Sequence, residues 1–295
     1  MNNLTKNIIL APFNLLYKFS PELDLKVLFY LKQHYKLNLK NPKTYNEKLQ
    51  WIKLYNKNPL MPKCCDKYTV REFVTNQNCK EILNELIWEG FNPEDIPFDR
   101  LPEKYVIKVT HGSTFNIIQD GTKKISKDDA VVKCNKWLKA KFLPCYGEWF
   151  YGVERPRVIV EKFIESADDE QLRDYKVFCF NGQPRMIRVD TDRFTKHKMD
   201  FFDCDWKRIE DAGMGYPVSG RDIEKPECLD ELLEYAGKLS EPFIHARVDF
   251  YIVKDKIYFG EITFTNGAGF DRCSSYEFDC KMGDWMQLDS KNKTK

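Results

Sequence analysis

Apolar positions along the first hundred residues recur at intervals of three and four, the period of a helix packed on one face. In "TYNEKLQWIKLY", Tyr45, Leu49, Ile52 and Tyr55 fall on one stripe, and Thr44 stands where an N-cap is needed. "CDKYTVREFVTNQ" has the same character, with Asp66 as its cap and Tyr68, Val70, Phe73 and Val74 turned inward. "NIILAPFNLLYKF" is apolar but short and contains Pro12. It is followed by no small-residue cleavage site, so the pattern argues against a signal peptide and for packing on the domain, with peripheral membrane contact as the lesser alternative.

After the turn residues of "GFNPEDIPFDRLP" the period shortens to that of strands. "KYVIKVTHGSTFNIIQD" predicts a strand, a polar loop with Gly112 and a second strand, while "ISKDDAVVKCNKWLKAKF" predicts a helix capped by Ser126. "RVIVEKFI" reads as a strand, "RDYKVFCFNGQPRMIRVD" as a hairpin turning at Asn-Gly, and "KPECLDELLEYAGKLS" as a helix with Leu229, Leu232, Leu233 and Ala236 inside. A helical front followed by antiparallel hairpins makes the fold class α+β.

The most informative stretch is "HARVDFYIVKDKIYFGEIT", residues 245–263, where charges interrupt two apolar runs. A three-residue loop over Lys254–Lys256 would set Asp249 opposite Glu261 and Arg247 opposite Thr263 on one sheet face. The other face would then carry Val248, Phe250, Ile252, Tyr258 and Ile262. A two- or four-residue loop would shift that register. Facing carboxylates repel unless a proton or cation lies between them, and magnesium, with its preference for oxygen ligands, meets the need. On spacing alone a salt-bridged surface sheet competes with that reading.

Composition narrows the field. With 47 Lys and Arg against 45 Asp and Glu in 295 residues, the net charge of +2 gives no global field for nucleic acid, so any phosphate site is local. The ten cysteines form no CxxC pair and no Cys/His zinc spacing, which predicts reduced thiols and a cytoplasmic setting. No apolar run reaches the roughly 18 residues of a membrane span.

"ARVDFYIVKDKIYFGEIT" followed by "NGAG" resembles the metal-binding end of ATP-grasp enzymes, and "CDKYTVREFV", "YVIKVTHGST" and "VIVEKFI" resemble, in the same order, their lysine-bearing segments and adenine hinge. Together with "TYNEKLQWIKLY", "DYKVFCFNG" and "YFGEITFTNGAG", they resemble the TupA-like ATP-grasp proteins associated with teichuronopeptide and surface-polysaccharide synthesis, over roughly residues 40–285.

The resemblance implies an ATP-grasp fold, two α+β subdomains clamping ATP. Residues 1–100 would form a helical N-terminal region, 101–165 a lid subdomain and 166–295 a C-terminal subdomain. It implies ATP contacts from Lys67 and Lys108, from the loop His111, Gly112 and Ser113, from Glu161 with the backbone of Lys162, Phe163 and Ile164 at the hinge, and from Asp168 or Asp169 at the ribose. Asp249 and Glu261 would hold one or two magnesium ions, with Thr263 where most ATP-grasp enzymes have Asn. Arg247 would stabilise the transferring phosphoryl group. Lys176, in the strand begun by Asp174, would either reach phosphate or substrate or pair within the sheet.

The implied activity is a carboxylate-amine ligase working through an acyl phosphate. It would join an amino acid or other amine to a carboxylated glycan or glycan precursor, with membrane-bound polysaccharide machinery as a peripheral partner. Arg188, Arg193 and Lys196 are candidates for gripping an acidic acceptor, against a plain solvated strand and loop. The rivals are an ATP-grasp kinase, a metal-dependent glycosyltransferase and a nucleotide-binding scaffold without catalysis.

Overall fold

The computed structural model describes residues 3–122, 125–166, 172–192 and 196–288. Helices α1 (Asn3–Phe19) and α2 (Pro21–Gln33) form a hairpin at the front of the chain. Helix α3 (Tyr45–Tyr55) follows, and its start is fixed as the sequence predicts: Thr44 accepts from the Glu47 N–H while Glu47 returns a bond to the Thr44 N–H. Tyr45, Leu49 and Ile52 are buried.

The next segment departs from the sequence reading. A short α4 (Leu60–Cys65) ends at Asp66, and α5 (Val70–Asn76) begins only four residues later. Asp66 ends α4, and its carboxylate accepts from the Tyr68 and Thr69 N–H groups as an N-cap's would, but residues 66–69 form a turn before α5 begins. Lys67 therefore projects from a turn rather than lying on a helix surface.

Two antiparallel sheets carry the rest. In the first, the strand order is β1-β4-β2-β3, from β1 (Leu86–Gly90), β2 (Tyr105–Val109), β3 (Asn116–Gln119) and β4 (Val158–Lys162). Because β1 pairs with β4, the first sheet recruits a strand from the segment expected to be mostly helical, and the boundary placed at residue 100 cuts through this sheet. Helix α6 (Lys127–Leu138), capped by Ser126, contributes Ala130 and Cys134 to the core of this half.

The second sheet has the order β7-β6-β5-β8-β9, from β5 (Asp174–Phe180), β6 (Gln183–Thr191), β7 (Lys198–Phe202), β8 (His245–Val253) and β9 (Lys256–Thr263). Its face carrying Val177, Val248 and Phe250 packs on α7 (Leu229–Ser240), which buries Leu229, Leu232 and Ala236. Helix α8 (Tyr276–Asp284) packs on α3. All ten cysteines are free thiols. Among the described residues no helix is long and apolar enough to cross a membrane.

Candidate active site

The β8–β9 hairpin sets the geometry. Its turn has two residues, not three: Val253 pairs with Lys256, and Lys254 and Asp255 have φ of 48° and 60°, the left-handed pair of a type I′ turn. That turn alone would set Asp249 opposite Gly260. A bulge after Asp249 inserts one residue and restores the pairing, so Asp249 faces Glu261 and Arg247 faces Thr263. Gly260 permits it, because a Cβ there would lie 2.9 Å from the Asp249 carbonyl oxygen. The bulge also corrects the core layer. Phe250 and Ile252 face Phe259 and Ile257, whereas Tyr258 pairs with Tyr251 and is only half-buried.

Across the sheet, Arg188, Lys176, Asp249 and Glu261 are successive register partners. Asp249 is 3% exposed, and Arg247 grips it twice, Nε donating to Oδ1 at 2.7 Å and an outer nitrogen to Oδ2 at 2.8 Å. Burial alone would push the Asp249 carboxyl up, but the charges of Arg247 and Lys176 outweigh it and hold the group below the usual carboxylate range. Burial works against the Arg247 charge in turn, and Asp249 overcomes it. Arg247 also donates to Asn266 and to the Thr263 hydroxyl, the latter at 3.0 Å.

Lys176 does not reach outward. Its ammonium donates to Asp174 at 2.5 Å and Asp249 at 2.7 Å, with Asp190 at 3.9 Å, and the residue is 4% exposed. It positions Asp249, so of the two expected roles the structure favours pairing within the sheet over a catalytic contact. Arg188 is buried rather than part of a solvated strand, and bonds Asp190 at 2.9 Å. Lys196 is exposed; Arg193, Asp168 and Asp169 lie outside the described residues.

From the first sheet, Lys108 donates to Glu161 at 2.6 Å, and Arg71 donates to the other oxygen of Glu161 at 3.1 Å. Glu161 is thus first a clamp on Lys108. The hinge narrows as well: the Lys162 N–H donates to the Glu85 carbonyl and its own carbonyl accepts from Asn84, so Lys162 has no backbone group turned to a base. Phe163 and Ile164, the other residues of the expected hinge, follow the strand.

The β2–β3 loop holds Lys67 through a 2.6 Å bond from its ammonium to the Gly112 carbonyl. Burial lowers the Lys67 pKa; Glu261, across in the other sheet, pulls it back up, and Lys108 pushes it down. Lys67 therefore feels a charge from each of the two sheets. Ser113 is exposed at the loop tip, and Thr114 has a φ of 64°, a left-handed conformation that suits glycine better than a β-branched residue. At His111 only the backbone is left for an ATP contact. Its ring is buried against Phe115 and Phe142, and Nε2 donates to the Ala140 carbonyl at 3.1 Å, so the imidazole cannot reach a phosphate.

A magnesium ion fits the acidic end. Asp249 Oδ1 takes one bond, from Arg247, and the Glu261 side chain is 41% exposed and faces it. Among the described residues no three His, Cys, Asp or Glu side chains gather into a group able to hold a metal alone. Two carboxylates with ligand phosphates completing the shell is how magnesium is ordinarily held beside nucleotides.

Sequence reading missed Arg71, Asn84, Asn266 and the underside of the loop at Asn266–Gly269. There Gln50 donates to the Gly269 carbonyl at 2.6 Å, and the fully buried Lys53 donates to the carbonyls of Ala268 and Tyr146, each at 2.7 Å. The signal was present: Gln50 and Lys53 are polar residues on a helix whose neighbours are buried.

Two antiparallel sheets, one carrying Lys108 and the other a carboxylate pair beside an arginine, with helices packed on them, are consistent with the ATP-grasp fold. The family model described as TupA-like ATPgrasp matches residues 47–287, and the chain belongs to that family. No curated protein matches it. Among solved structures, D-alanine–D-alanine ligase from Bacillus anthracis is similar at 19% identity and a TM-score of 0.44, over 72% of this chain and 61% of that one. L-amino acid ligase from Bacillus licheniformis is similar at 12% identity and a TM-score of 0.46, over 83% of this chain and 55% of that one. The chain thus spans less than two thirds of the length of either protein.

Proposed function

We propose that the protein is an ATP- and magnesium-dependent ligase that joins a carboxylate to an amine and releases ADP and phosphate. A carboxylate oxygen of the acceptor attacks the γ-phosphorus, the bond to the β,γ-bridging oxygen breaks, and ADP leaves. The amine nitrogen then attacks the acyl carbon, the bond from that carbon to the phosphate oxygen breaks, and a proton is lost from nitrogen. The observation that carries this reading is the β8–β9 hairpin, which sets Asp249 opposite Glu261 with Arg247 locked onto Asp249.

Each residue has a task that needs no nucleophilic side chain. Lys67 and Lys108 neutralise phosphate oxygens as point charges, and Arg247, locked by Asp249, Thr263 and Asn266, brings a fixed positive charge to a transferring phosphoryl group. Asp249 and Glu261 would hold magnesium, which neutralises phosphate charge when bound. Lys176 and Arg71 keep the working charges in place. Positioning and charge neutralisation supply most of the catalysis in such a transfer.

The acceptor we propose is a carboxylated sugar of a surface polysaccharide or its precursor, and the amine an amino acid or a related amine. Arg188, next in register to Lys176, would orient the acidic acceptor. Incubation with ATP, magnesium, carboxylated glycan precursors and a pool of amino acids tests the reading. ADP with free phosphate and a product heavier by an amide-linked amine supports it. A stable phosphorylated product would make the protein a kinase, and absence of ADP formation under all combinations would rule out ligation.

A further inference from the structure

Helices α1 and α2 expose more apolar surface than their packing explains. On α1, Ile8, Leu15 and Phe19 are 57–81% exposed, and with Pro12 they are spaced as i, i+4, i+7 and i+11. On α2, Leu23, Val27, Tyr30 and Leu31 are 36–54% exposed at i, i+4, i+7 and i+8. Each set is a single helical stripe. Both helices bury their opposite sides against the same segment, Pro144–Tyr146, with Tyr17 and Leu25 meeting at Gly147. The two outward stripes therefore point away from the body together, joined at the corner Phe19–Ser20–Pro21.

The charge around them is one-sided. The first forty residues hold six lysines and only two acids, in a chain whose net charge is +2, so the remainder is net negative. One of the two acids, Asp24, is buried, and the other, Glu22, is paired with Lys26 at 2.6 Å. Lys18, Lys26, Lys32 and Lys36 are exposed along the two helices and the segment after α2. Protein–protein interfaces are depleted in lysine. An apolar stripe flanked by lysines is instead the pattern of a helix lying in a headgroup layer, where the rings and aliphatic tips sink and the ammonium groups meet lipid phosphate.

We propose that the α1–α2 hairpin is a docking surface for an anionic lipid bilayer, holding the protein flat against a membrane without crossing it. This is independent of the ligase reading, and neither helix contributes a residue to the active site described above.

Co-sedimentation with mixed phosphatidylglycerol–phosphatidylcholine vesicles tests it. The full chain should bind these vesicles, bind pure phosphatidylcholine vesicles much less, and lose binding as salt is raised. Leu15→Glu with Phe19→Glu, and separately Leu23→Glu with Tyr30→Glu, should each weaken binding at least about tenfold, because each removes two buried apolar anchors. Lys18→Gln with Lys26→Gln leaves the stripes intact and should abolish only the preference for anionic lipid. Val132→Glu, at an equally exposed position on α6, should change nothing. Failure of the unmodified protein to bind either vesicle would overturn the proposal. So would binding that survives both apolar double substitutions, or a dimer in sedimentation equilibrium that those substitutions dissolve, which would assign the face to a second copy.

Discussion

Gly260 decides where the carboxylates sit. The sequence pattern places Asp249 opposite Glu261 through a three-residue loop, and the structure reaches the same pairing by another route, a two-residue turn plus a bulge. The opposition of acids was legible because an even spacing survives either route; the bulge was not, because it depends on a close approach of two backbones. Gly260→Ala, whose new Cβ would press on the Asp249 carbonyl, should cost about 1–3 kcal/mol and lower ATP turnover by on the order of a hundredfold through misplacement of Glu261. Steady-state kinetics beside urea unfolding separates the two effects. Asp249→Asn should behave differently. It removes the counter-charge that buried Arg247 grips and that Lys176 shares with Asp174, so unfolding experiments should show a loss of about 3–5 kcal/mol, beyond any effect on catalysis.

At the scale of elements, helix periodicity and Asn-Gly turn chemistry were enough to locate α3, α6, α7 and the β5–β6 hairpin, where Asn181 and Gly182 take φ of 49° and 79°. What the pattern did not disclose is long-range. Lys67 reads as a helix-surface lysine until Asp66 is seen to close a turn, and His111 reads as a loop residue until Phe115 and Phe142 are seen to enclose it. The same holds for α3, which reads as a packing helix and also supports the loop after β9 through Gln50 and Lys53. Gln50→Leu removes one of those supports. Hydrogen exchange should speed up at Phe270, whose N–H bonds Gly267, and stay unchanged in β5, while turnover falls about tenfold, as is usual for residues that orient a site from behind.

Across the whole molecule, α3 and the second sheet are tied by His245. The Cys179 carbonyl can only accept, so Nδ1 carries the proton and donates to it at 2.9 Å, and Nε2 accepts from the Tyr45 hydroxyl at 2.9 Å. The ring is neutral: burial, with Arg247 nearby, lowers its pKa from 6.5 to about 3. The unfolded chain thus takes up a proton near pH 6.5 that the folded chain refuses until about pH 3, and stability must fall as pH drops through that interval. The loss from this one group is on the order of a few kcal/mol. His245→Gln should flatten the acid limb of the unfolding curve between those values, whatever it does to stability at neutral pH.

The central claim is that Asp249 and Glu261 hold magnesium for a nucleotide whose phosphates lie on Lys67 and Lys108. Glu261 is the cleaner place to test it, because its side chain is 41% exposed against 4% for that of Asp249. Calorimetric titration of a non-hydrolysable ATP analogue, with and without magnesium, reads the claim without requiring the acceptor or the amine. The account predicts that magnesium tightens binding to the unmodified protein at least about tenfold and does little for Glu261→Gln. Equal tightening in both proteins, or no nucleotide binding at all, would contradict it.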